Sequence, residues 1–142
     1  MIKAFQVVYT ILTLNFIVPA IAYCFAPEQA AETYYTLGSY IGMEATQPWS
    51  EESRFWLILG IGNVATLGFL CFLMLRDLRA NYNMLLPLCF LKGCSILGFL
   101  IAWFIHGHPS FLIGVVFDSL TIFCMIYFAR NAYREMMEIS TT

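Results

Sequence analysis

Residues 83–106, NMLLPLCFLKGCSILGFLIAWFIH, and residues 110–130, SFLIGVVFDSLTIFCMIYFAR, decide the fold of this chain. Each run is long enough to cross a hydrocarbon layer as a helix, and only Gly107-His108-Pro109 separates the two. Each also carries one charge deep inside: Lys92 in the first and Asp118 in the second. A charge at the centre of a spanning helix costs roughly 2.5–3.5 kcal/mol on insertion scales. Two opposite charges in neighbouring helices therefore predict an ion pair.

Composition agrees with a lipid-facing surface. Of 142 residues, 61% are hydrophobic and 11% charged, whereas a soluble domain needs about 25% charged residues to face water. The net charge of −2 and the scattered Lys and Arg exclude a basic nucleic-acid footprint. Five cysteines, Cys24, Cys71, Cys89, Cys94 and Cys124, lie in or beside apolar runs without Cys-x-x-Cys spacing, so they read as small apolar side chains.

Working back from the final hairpin, residues 55–75 form another apolar run, flanked by Arg54 and Arg76. Its Gly60, Gly62, Ala65, Thr66 and Gly68 suit close helix approach. Residues 4–25 form the first run. They resemble a signal peptide in their Lys3 start and Ala20-Ile21-Ala22, but Asn15 interrupts the apolar centre, and the reading is a retained helix. Pro19 removes the donor that would bond the Asn15 carbonyl and predicts a kink. The expected fold is all-α: a four-transmembrane-helix bundle, with crossings at about 4–25, 55–75, 84–106 and 110–129. The acidic outer loop 26–53 holds a short interfacial helix starting at Pro27-Glu28, and 130–142 is a polar helical tail. The whole forms a single membrane domain.

Lys3, Arg76, Arg79, Arg130 and Arg134 fall on one side of these crossings, and Arg54 alone on the other. The positive-inside rule puts both termini and the loop 76–83 in the cytoplasm, with Trp49, Trp56 and Trp103 at the outer boundary.

At about 1.5 Å per residue, Asn15 lies about 16 Å from the cytoplasmic edge, and Asn63, Lys92 and Asp118 come to similar depth. Ser95 and Thr121 share the helical stripes of the two charges, so the predicted polar layer is Asn15, Asn63, Lys92, Ser95, Asp118 and Thr121. Two readings stay open. In one, the layer is a fixed ion pair with hydrogen-bonding neighbours that specifies helix packing. In the other it lines a cavity for a proton or the polar head of a lipophilic ligand such as a lipid or quinone. His106, His108 and Trp103 form a second candidate group at the outer interface. His-x-His without further ligands predicts no metal site, and two histidines at one end exclude a bis-histidine haem at mid-depth. No nucleophile motif or phosphate loop assigns a catalytic residue.

The order of features resembles the DoxX-like small four-helix bacterial membrane proteins over residues 5–130. The marks are Phe25-Ala26-Pro27-Glu28 at the end of the first helix, a glycine-bearing second helix ended by Arg76, and a last helix carrying an acid and closing with Ala129-Arg130. The resemblance implies an inner (plasma) membrane location and, for some members, association with redox complexes. The expected function is a non-enzymatic accessory or lipophilic-ligand-binding membrane protein, alone, as a homo-oligomer or within a larger membrane complex. The alternatives are a proton-coupled small transporter or a subunit of a membrane redox complex.

Overall fold

The computed structural model describes the backbone of residues 1–27, 51–106 and 110–140 and, within these, the side chains of 1–27, 60–105 and 111–140. Among the described residues the chain is helical and contains no strand. Helix α1 spans Ile2–Phe25 and contains Pro19. Helix α2 spans Glu51–Arg76. A four-residue helix α3, Leu78–Asn81, and a 3-10 turn, Tyr82–Met84, connect it to α4, Leu85–His106. Helix α5 runs unbroken over Ser110–Ile139, so the polar tail continues the last apolar helix. The segments Ile2–Phe25, Leu78–Ile105 and Phe111–Ile139 are each long and apolar enough to cross a membrane, and Gly60–Arg76 is a shorter apolar segment. The expected interfacial helix, Trp49 and His108 lie outside the described residues, as do the side chains of Trp56 and His106.

The connector is specified locally. Asp77 caps α3 by accepting the Ala80 N–H on Oδ1 at 3.1 Å. Asn81 Nδ2 donates back to the carbonyls of Leu73 at 3.1 Å and Asp77 at 3.0 Å, satisfying acceptors at the end of α2. Arg79 donates to the Met136 carbonyl, and the Tyr82 ring stacks on Tyr133 at 4.2 Å between centroids. Both contacts tie the connector to the last turns of α5.

Helices α1 and α2 lie along each other, as do α4 and α5, and α1 joins the two pairs by packing on α5. The apolar core fills the end of the bundle nearest the connector. There α1 contributes Phe5, Tyr9, Leu12 and Phe16, α2 contributes Leu67, Cys71 and Met74, and α5 contributes Met125, Ala129 and Ala132. Leu78 and Leu88 close it from below and from α4. Tyr9 is fully buried and donates its hydroxyl to the Met125 carbonyl at 3.0 Å, so the core has no orphaned phenol. The closest helix approach is at Gly68, where a Cβ would lie 2.7 Å from the Ile17 side chain and 3.3 Å from its backbone nitrogen. Gly114 does the same for α4 and α5, with a Cβ position 2.7 Å from the Phe99 ring. By contrast, a Cβ at Gly60, Gly62, Gly93 or Gly98 would meet nothing within 4 Å among the described residues.

Candidate functional site

The site begins with α5. Gly114, Asp118, Thr121 and Met125 recur at helical spacing and are all buried, forming the face that α5 presents inward. Gly114 lets α4 approach closely through Phe99, and two turns earlier on α4 Lys92 is brought to the level of Asp118. Lys92 Nζ donates to Asp118 Oδ1 at 2.5 Å. Lys92 is 8% exposed and Asp118 3%, so the predicted pair is formed and buried. The ammonium also lies 4.9 Å from the centroid of the Phe16 ring and 6.0 Å from that of Phe117. Two aromatic faces thus offer their negative quadrupoles to a buried cation. On the other side of the pair, Asp118 Oδ2 is buried with no hydrogen-bond partner among the described residues. A carboxylate left half-bonded in a low-dielectric interior is an unusual arrangement, since native structures satisfy most such atoms.

The rest of the expected polar layer is distributed differently. Thr121 is buried beside the pair, but its hydroxyl donates to the Phe117 carbonyl at 2.8 Å, within α5, and not to Asp118. Ser95 is half-buried, and among the described residues its side chain makes no hydrogen bond. Asn63 is exposed and takes no part in the pair. It shares a helical stripe with Leu67, Cys71 and Met74, so its face is the inward one, but it sits above the level at which described neighbours cover α2. Thr66, also on α2, is exposed and bonds to its own helix at Gly62. Asn15 is exposed too, one position off the buried stripe Phe5, Tyr9, Leu12 and Phe16. The layer of four converging helices is therefore corrected to a pair between α4 and α5, with α1 supplying an aromatic face.

Asn15 belongs to another feature. A groove of about 310 Å³ runs between α1 and α5, walled by Val8, Ile11, Leu12 and Asn15 on one side and Phe117, Leu120, Thr121 and Cys124 on the other. Its lining is almost wholly apolar, with Asn15 and Thr121 its polar side chains apart from the Cys124 thiol. Phe117 belongs to both features, lining the groove and standing against the ammonium. Sequence reading misses Phe16, Phe117 and the groove. The available signal was the Phe117-Asp118 dipeptide, which places an aromatic ring one residue from the buried acid.

Compared with known proteins, the chain matches no family model, no curated protein and no solved structure. The site rests on its own geometry. At the far end, Trp103 is half-buried with its ring 4.9 Å from that of Phe104. Among the described residues no group of three His, Cys, Asp or Glu side chains is placed to hold a metal ion.

Proposed function

We propose that the chain is a small multi-pass protein of the inner (plasma) membrane that holds a lipophilic molecule in the groove between α1 and α5, acting as a non-enzymatic accessory protein. On this reading α1, α2, α4 and α5 cross the bilayer and both termini are cytoplasmic. Support comes from the apolar helices, from the basic residues gathered at the connector end, and from large side chains such as Val7, Leu14, Phe90, Phe104 and Phe123 that point away from the bundle. The observation that carries the ligand is the apolar groove set against a buried ion pair, with Phe117 shared between them.

Native mass spectrometry of the full chain released from a gentle detergent tests this. The expected spectrum shows a retained lipophilic molecule that Leu120→Trp, which fills the groove, removes. A chain that carries nothing, before and after the substitution, overturns the reading. The same spectra give the subunit count, for which the open space at Gly60, Gly62, Gly93 and Gly98 supports an oligomer.

A second reading, proton-coupled transport, draws on the unpartnered Asp118 Oδ2. It requires that vesicles containing the protein acidify in a way that Asp118→Asn abolishes.

A further inference from the structure

We infer that the groove between α1 and α5 selects an uncharged lipophilic molecule bearing a hydroxyl group, a long-chain or polycyclic alcohol, with the hydroxyl bridging Thr121 and Asn15. The inference rests on the reading that α1 and α5 lie in the bilayer and that the groove holds a lipophilic molecule.

Chemistry narrows the occupant step by step. No Lys, Arg or His is among the described residues that line the groove, and the Lys92 ammonium, 6.0 Å from the Phe117 ring centroid, is committed to Asp118 at 2.5 Å. A phosphate or carboxylate head has no counter-charge there, since the one nearby cation is already neutralised by Asp118. A cationic head fares no better, because no carboxylate is among the described lining residues. The occupant is neutral.

Pure hydrocarbon fits the walls but not Asn15. Its amide lies mid-helix on the groove wall, exposed, with no side-chain hydrogen bond among the described residues. Two N–H donors and a carbonyl left against lipid tails are unfavourable, so a polar group on the occupant is worth more than another methylene. Thr121 then decides which polar group. The single proton of its hydroxyl goes to the Phe117 carbonyl at 2.8 Å, so Oγ1 has only lone pairs left to offer. A ketone or ester carbonyl has no hydrogen for it. A hydroxyl donates to Thr121 Oγ1 and accepts from Asn15 Nδ2, satisfying both walls with one atom. The volume of about 310 Å³ holds a single ring system or a stretch of one chain, at the small end of ligand sites.

The test uses the full chain in phospholipid nanodiscs and a sixteen-carbon alcohol carrying a photoactivatable diazirine in its chain, with the labelled residues read by peptide mass spectrometry. Adducts are expected on residues 8–15 and 117–124, competed by unlabelled hexadecanol. The methyl ether of the same probe, which cannot donate, labels these segments about fivefold to tenfold less, the ratio that one hydrogen bond supplies. Thr121→Val and Asn15→Leu each lower alcohol labelling by a similar factor while leaving ether labelling unchanged. The comparison of alcohol with ether needs no mutant, so it stands even where a variant fails to fold. Equal labelling by alcohol and ether, or stronger labelling by the corresponding fatty acid, overturns the hydroxyl inference and leaves the lipophilic site standing. Absence of groove adducts from all three probes, together with a ligand-free native spectrum, removes both.

Discussion

The two ends of this bundle are built on different principles. Toward the connector, four helices interlock through fully buried Tyr9, Cys71, Met74, Leu88 and Met125, and the connector adds a cap, a ring stack and an arginine bond. Toward the other end, among the described residues, burial is confined to Ala20, Gly68, Gly114 and the Lys92–Asp118 level, and Gly60, Gly62, Gly93 and Gly98 have open space around them. In a bilayer, apolar side chains gain little from leaving lipid for protein, so packing and polar contacts decide which helices stay together. The difference teaches that one end is held by a filled apolar core and the other by one ion pair and two close helix approaches, at Gly68 and Gly114.

The sharpest way to break that comparison is to remove one half of the ion pair. Asp118→Asn leaves an ammonium buried between α4 and α5 without its counter-ion, and a loss of about 3–5 kcal/mol is expected. Asp118→Asn combined with Lys92→Met recovers most of it, because no charge then remains in the buried interior. Thermal melts in detergent followed by circular dichroism measure both, and a double variant no better than the single one shows that the contact does not hold this end. Shape is probed at glycine. Gly68→Val drives two methyl groups into Ile17 and its backbone and is expected to destabilise by about 1–3 kcal/mol, whereas Gly98→Ala falls in open space and leaves the melting temperature unchanged or raised. Equal effects at the two positions would erase the distinction.

The smallest effect concerns the base of the packed end. Glu135 Oε2 accepts from the Met1 ammonium at 2.7 Å and from the Ile2 N–H at 2.9 Å. The ammonium's hydrogen bond first, and that of Ile2 second, hold its carboxyl below the usual carboxylate range. A lowered folded-state value means that the contact stabilises above the unfolded value and fades as pH falls through the folded one. Melts taken from pH about 7 down to about 3 should therefore converge for the parent chain and Glu135→Gln at the acid end. A difference that persists at the lowest pH argues against the contact.

Much of this was legible in the amino-acid order, and the reason is energetic. A lysine and an aspartate inside adjacent apolar runs have few alternatives to meeting each other, so Lys92 and Asp118 announce their contact. The stripe Gly114, Asp118, Thr121 and Met125 follows from helical spacing alone. Asn63 shows where such reading stops: periodicity assigns its face, shared with Leu67 and Cys71, but says nothing of how far up the helix a neighbour reaches. Thr121 is buried on the stripe of Asp118, but its hydroxyl goes to the Phe117 carbonyl, because a helix carbonyl one turn back is always within its reach. The groove was invisible for another reason. It lies between α1 and α5, two helices about a hundred residues apart in the chain, and is not written in either helix alone.

Helix α5 has a mechanical consequence. Its 30 residues extend about 45 Å, well beyond a hydrocarbon thickness of about 30 Å, and no proline interrupts them. The stretch bearing Arg134 and Glu135 and the carboxyl of Asp118 thus belong to one stiff rod. A rotation applied to its last turns therefore turns the Asp118 carboxyl against Lys92, with no hinge between them.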